Sequence, residues 1–209
     1  PLILFAVGIA GEPASRRAPE DMLAAPDVLP YSEAHYGRGY FAGEQPGCGF
    51  EAGSWDFDKL RGETDKKLAL LMKRFSGFSK FLEVGCGRGF VVHSLVDAGK
   101  DARGVDVSEA AVGAAHGLAA GRLQVCDVTQ GLPFPDQSFD VLYAWDTVEH
   151  LPLAGLSTAL DEMARVTTTW MLLRTPLRSH RNRKGPADWS YGTTDPSRAD
   201  GLADRTHIS

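Results

Sequence analysis

At 209 residues the chain is long enough for one domain with a real core, and 43% hydrophobic with 23% charged residues is a soluble globular balance. The formal net charge of -5 excludes a broad positive field for gathering nucleic acid. Cys48, Cys86 and Cys126 form no C-x-x-C pair, which excludes a zinc or disulfide framework by pattern and makes a reducing, cytoplasmic compartment the default expectation.

The opening Pro1–Ala10 is apolar, too short to span a bilayer, and preceded by no basic residue. It is expected to be an ordered strand or appended sequence rather than a signal remnant, on a chain that opens on Pro and so reads as processed. Residues 11–55 are rich in Gly, Pro and aromatics without a steady period, so loops and short helical turns are expected. From Asp56 to Phe75, Leu60, Leu68, Leu71, Met72 and Phe75 fall at helical spacing between charges and predict an amphipathic helix.

Strand and helix patterns then alternate. Lys80–Val84 reads as a strand, Phe90–Ala98 as a helix closed by Gly99, and Ala102–Val107 as a second strand. Ser108 and Glu109 can cap a helix running to about Ala120. Leu123–Cys126 and Phe139–Trp145 are further strands, each followed by an aspartate. Leu156–Val166 reads as helix and Thr168–Arg174 as a strand stopped by Pro176. This alternation predicts βαβ units, a mainly parallel sheet and helices on both faces. The chain divides into an N-terminal segment or lid (1–55), a core (56–176) and a polar C-terminal loop or truncated tail (177–209). The tail's basic run, Arg178 to Lys184, reads as a solvated loop.

The chemistry concentrates where the strands end. Glu83-Val84-Gly85-Cys86-Gly87-Arg88-Gly89 is a strand, a tight glycine turn and a helix start. Glycines suit a backbone that takes positive φ or that a ligand presses against, and the free N–H groups of the helix start favour negative charge. A dinucleotide fingerprint would be G-x-G-x-x-G with its acid about 20 positions on. Here the spacing is G-x-G-x-G and a carboxylate precedes the turn, which would repel a pyrophosphate and suits a ligand with a cationic amine. The next strands end in Asp106, suited to ribose hydroxyls, and Asp127, which can accept from an adenine amino group or simply close a strand. Ligands in open α/β sheets bind at such strand ends, so the acids describe one pocket.

In order and spacing, Glu83–Gly89, Gly104-Val105-Asp106-Val107-Ser108 and Asp127 resemble the S-adenosylmethionine-binding core of class I methyltransferases. Leu132-Pro133-Phe134-Pro135-Asp136-Gln137-Ser138-Phe139-Asp140-Val141-Leu142 is similar to that family's fourth-strand segment, especially in small-molecule enzymes. The resemblance spans roughly residues 56–176. It implies a Rossmann-like three-layer αβα sandwich that binds S-adenosylmethionine and methylates a small molecule, with neither nucleic acid nor membrane as partner. By that likeness Gly85, Gly87 and Gly89 face the methionine end, Glu83 reaches the amino group, Asp106 holds the ribose and Asp127 the adenine. Cys86, Val107 and Val128 join the same cofactor-binding set, and Trp145 either packs against the cofactor or forms core.

A methyl transfer of this kind is an in-line displacement, and a base is needed only for a hydroxyl or protonated amine. His150 is the candidate base; a turn-closing role is the bland alternative. Asp146, Glu149 and His150 also have the spacing for a divalent cation, as in some quinone-biosynthesis methyltransferases, but no metal is expected. Tyr31, His35, Tyr36, Tyr40, Phe41 and Trp55 are candidates for an aromatic lid or for a loop pinned to the core. The family usually completes its sheet with a C-terminal hairpin, and no convincing pair follows Pro176. Asp204–Ser209 looks like the segment preceding that hairpin. An uncovered parallel edge there would invite a homodimer, and a non-catalytic S-adenosylmethionine-binding module stands as the alternative to an enzyme.

Overall fold

Apolar side chains on both sides of a strand require cover on both faces, and the strands here carry them. In the computed structural model, which describes residues 2–8, 36–44, 53 and 55–176, Phe81 packs into one core and its neighbour Leu82 into the other. The same alternation sends Val141, Tyr143 and Trp145 one way and Leu142 and Ala144 the other.

The strands are β1 (Leu2–Gly8), β2 (Lys80–Val84), β3 (Asp101–Asp106), β4 (Leu123–Val125), β5 (Phe139–Trp145) and β6 (Thr167–Pro176). They form one six-stranded sheet in the order β1-β6-β5-β2-β3-β4, parallel except for β1. Helices α2 (Phe57–Phe75) and α3 (Phe90–Asp97) cover one face through Leu71, Phe75, Val91, Val92 and Leu95. Helix α5 (Leu153–Val166) covers the other through Ala159, Met163 and Val166. This is the expected three-layer αβα sandwich. Short helices α1 (Arg38–Ala42) and α4 (Glu109–Gly113) touch each other, α4 also packs on β3 and β4, and Phe41 of α1 lies near Gly87 of the glycine turn.

Two expectations change. The helix after β3 stops at Gly113 rather than near Ala120, because the chain turns away there: His116 N–H donates to the Arg88 carbonyl at 2.9 Å, and a separate turn covers Gly117–Ala119. The edge of β6 is not bare. β1 runs antiparallel along it, with Leu2 opposite Pro176 and Gly8 opposite Trp170, so pairing of two copies through an uncovered β6 edge loses its premise. The hairpin question, the basic run and residues 177–209 lie outside the described residues. Among the described residues no helix is long and apolar enough to cross a membrane.

The Leu132–Leu142 motif owes much of its form to a clamp. Arg165 donates to the carbonyls of Leu132 (3.0 Å) and Phe134 (2.9 Å), to Asp136 Oδ1 (2.7 Å) and to Glu162, while Glu162 Oε2 accepts from Leu132 N–H at 2.8 Å. The Arg165 hydrogen bond holds the Glu162 carboxyl down at about 2, so the clamp is complete above pH 4.5 and is lost only as pH falls toward 2. Arg165→Ala strips two loop carbonyls of their donor and is expected to lower unfolding free energy by about 2–3 kcal/mol in urea titration. A change below 0.5 kcal/mol would refute the clamp.

Candidate functional site

Parallel pairing brings the acidic strand ends side by side. Val84 is in register with Val105, and Asp106 with Val125, so Glu83, Asp106 and Asp127 stand at the carboxyl ends of three neighbouring strands. The glycine turn hangs on the middle one: Gly85 and Cys86 N–H both donate to the Val105 carbonyl, at 2.9 and 3.1 Å. Asp106 then closes it. Its Oδ2 accepts from Gly87 N–H at 2.7 Å and its Oδ1 from Ser108 N–H at 2.9 Å, with the residue only 8% exposed.

Glu83 is buried at 5% exposure, directly across from Tyr143, whose hydroxyl donates to its Oε2 at 3.3 Å. Burial pushes the Glu83 carboxyl up to about 8, opposed by the Lys67 ammonium and the Tyr143 bond. Asp127 is half-buried, and its Oδ1 accepts from Thr129 N–H (2.9 Å) and Thr129 Oγ1 (2.6 Å), capping the turn Val128–Gln130. Val107 is buried beside Asp106, and Val128 belongs to the α5-side core.

The remaining members of the predicted set are placed by packing. Cys86 is buried against Gly104, where an added Cβ would lie 2.7 Å from its Sγ, and burial pushes the thiol well up, which keeps it protonated. An added Cβ on Gly89 would meet Ala119 and Leu123 within 2.9 Å. Trp145 lies in the α2-side core, edge-on to Tyr143 with centroids 5.0 Å apart.

The aromatic segment reaches the glycine turn. At Gly87 an added Cβ would lie 3.1 Å from Trp55 and 3.5 Å from Phe41, whose rings meet edge-on at 4.9 Å. Arg88 holds this arrangement by donating to the Trp55 carbonyl at 2.7 Å. Tyr36, 7% exposed, packs edge-on against Tyr40 at 5.0 Å and against His150 at 5.9 Å. His150 N–H also closes a turn onto the Thr147 carbonyl at 3.0 Å, the turn-closing role read from the sequence. Tyr31 and His35 lie outside the described residues.

Asp146 does not join His150. Its carboxylate pairs with Arg174 at 3.5 Å and its N–H donates to the Arg174 carbonyl at 2.9 Å. Glu149 is buried, and among the described residues no group of three His, Cys, Asp or Glu side chains is arranged to hold a metal. The segment Tyr143–Leu151 is read from the sequence as lining the site, but the pairing of Tyr143 with Glu83, the contact of Thr147 with the glycine turn and the presence of Lys67 near Glu83 are not. The β2–β5 register would have found Tyr143, since it sits opposite Glu83; only the fold reveals the other two.

Comparison with known proteins bears on the same residues. Residues 82–169 match the family model described as a methyltransferase domain. Among solved structures, a protein of Pyrococcus horikoshii OT3 is 29% identical, with 54% of this chain and 56% of that chain covered and a TM-score of 0.49. A magnesium protoporphyrin IX methyltransferase of Synechocystis PCC 6803 with bound S-adenosylhomocysteine is 23% identical, covering 54% of each chain at a TM-score of 0.45. An S-adenosylmethionine-dependent methyltransferase of Archaeoglobus fulgidus is 24% identical, covering 57% of this chain and 56% of that one at 0.46. The chain thus spans little more than half the length of these structures. The matched residues 82–169 carry the glycine turn and all three acidic strand ends, and over them the chain is similar to a methyltransferase domain.

Proposed function

We propose that this protein transfers a methyl group from S-adenosylmethionine to an oxygen, nitrogen or carbon atom of a small-molecule acceptor. The observation that carries the proposal is a buried carboxylate, Glu83, beside a glycine turn that Asp106 closes from the next strand. These residues fit the cofactor. Glu83 matches its amino group, the buried carboxylate of Asp106 matches ribose hydroxyls, and Gly85, Gly87 and Gly89 let the backbone lie close to the methionine end. Asp127 and Val128 flank the adenine in this reading, with Asp127 Oδ1 already committed to Thr129.

When bound, the cofactor supplies an electrophilic methyl on a sulfonium. The chain's task is to hold an acceptor in line with that methyl and to exclude water. Tyr36, Tyr40, Phe41 and Trp55 provide the apolar cover, and stacking surface of this kind suits a small organic acceptor. His150, fixed against Tyr36, takes the proton from a hydroxyl or ammonium acceptor at its imidazole nitrogen.

The test is transfer of a labelled methyl from S-adenosylmethionine to fractionated cell extract. Label is expected in the small-metabolite fraction; label confined to protein or nucleic acid sinks the small-molecule acceptor, and tight cofactor binding without any transfer sinks the enzyme. On the acceptor so found, His150→Ala is expected to slow transfer by about 10²-fold with cofactor affinity unchanged. A wild-type rate would leave positioning alone as the mechanism.

A further inference from the structure

Tyr143 is wholly buried on β5, in the core that α2 and α3 cover, where Phe81 of the neighbouring β2 also lies. A phenylalanine would fill the place of Tyr143, so packing alone gives no reason for its hydroxyl, which costs free energy to bury unless it is hydrogen-bonded. The hydroxyl donates to Glu83 Oε2 at 3.3 Å, from the position directly opposite in the β2–β5 register. The ring is enclosed on all sides, and Trp145 meets it edge-on with centroids 5.0 Å apart. Burial, with the Glu83 charge acting the same way, raises the phenol well above its ordinary value, so the group stays a donor.

A buried carboxyl that is to meet an ammonium must be held in one orientation and must be able to ionise when the ligand arrives. A donor fixed in the sheet beside it serves both ends, because a hydrogen bond to the charged form favours that form. The other groups facing Glu83 are Lys67 of α2 and the Val92 N–H of α3, which also favour its charge, and Asp106 of β3 and the Cys86 thiol, with which a charge on Glu83 is at odds. Of the donors, Tyr143 is the one fixed on the strand next to Glu83 and wholly enclosed by the core. We propose that Tyr143 is a positioning residue, whose hydroxyl holds the Glu83 carboxyl in place and ready to ionise for the amino group of the cofactor. The proposal rests on the S-adenosylmethionine reading above and assigns the buried phenol a part in it.

The test is calorimetry of Tyr143→Phe with S-adenosylhomocysteine, which carries the amino group, and with adenosine, which lacks it. The quantity read is the ratio of the two affinities, in which any general damage to the fold or to the nucleoside site cancels. At pH 7 the ratio is expected to fall about 3- to 10-fold below that of wild type. The deficit should close by about pH 9, where Glu83 is ionised without help, and it should be absent when Tyr143→Phe is made in a Glu83→Gln background. A merely structural hydroxyl would move neither the pH profile nor the dependence on Glu83. An unchanged ratio at pH 7 overturns the proposal, as does a deficit that is equal at pH 7 and 9 or that persists beside Glu83→Gln. Wild type that binds neither ligand refutes the S-adenosylmethionine reading itself.

Discussion

Glu83→Gln is expected to stabilise the ligand-free protein in alkaline solution while weakening S-adenosylmethionine binding by about 10²-fold. Burial raises the Glu83 carboxyl to about 8 from its usual 4.5. A group raised in the folded state favours folding fully below its unfolded value, and that contribution is lost as pH rises through the folded value. The stability of wild type therefore falls between pH 4.5 and 8 on account of this residue, and a glutamine, which never ionises, escapes the loss. The gain in Glu83→Gln is near zero at pH 4 and levels off above pH 8, at a size on the order of 3–5 kcal/mol. Urea unfolding at pH 4, 7 and 9 measures it. A gain independent of pH would show that Glu83 is already ionised in the free protein.

The same shift shapes cofactor affinity. At neutral pH the free site holds a protonated Glu83, and pairing with an ammonium requires that proton to leave. Below pH 8 the affinity is expected to rise about tenfold per pH unit, and calorimetry at pH 7 in buffers of different ionisation enthalpy should show close to one proton released. Above pH 8 the amino group of the ligand itself deprotonates, since an α-amine titrates near 7.7–8.0, and affinity falls again. The maximum near pH 8 belongs to the pair and not to either group alone. In Glu83→Gln the acid limb vanishes and the alkaline limb stays. Proton-neutral binding between pH 6 and 8 would remove Glu83 from the ligand's amine.

How much of this was legible beforehand depended on the range of the interaction. The strand Lys80–Val84 and the helix from Phe57 to Phe75 follow from local periodicity, and both are found within one residue of their expected bounds. The acids at strand ends were legible for the same reason, because a strand's end is marked by glycine or aspartate in the chain itself. What Asp127 does was not: its Oδ1 caps the turn at Thr129, a bond that the sequence left open beside ligand binding. Long-range partners left no local trace. Asp140 Oδ2 accepts from Ser79 and Lys80 N–H, both at 2.9 Å, tying the start of β5 to the start of β2 across 60 residues. Arg165 grips a loop about 30 residues earlier, and β1 finds β6 from the far end of the chain. The protonation of Glu83 belongs to this class too, since it comes from burial and from charges that the fold assembles.

The glycine turn gives the sharpest steric expectation. Gly85 has φ +74°, a backbone region that an L side chain enters at about 1–2 kcal/mol. An added Cβ would also overlap Thr147 Oγ1 and come within 2.5 Å of Thr147 Cγ2. Thr147 cannot easily yield, being 7% exposed with its hydroxyl donating to the carbonyls of Trp145 (3.0 Å) and Val84 (3.3 Å). Gly85→Ala is therefore expected to lose about 2–4 kcal/mol of stability, the sum of backbone strain and overpacking. Thr147→Ala alone should lose about 1 kcal/mol, for one buried hydroxyl and its bonds. In the double variant the overlap with Oγ1 and Cγ2 disappears while the left-handed strain remains. Its loss should then fall short of the two single losses added together by about 1–2 kcal/mol. Four urea titrations close this cycle. Strict additivity would mean that the turn moves away from Thr147 without resistance, and the picture of Thr147 as the stop against which the turn is set would be wrong.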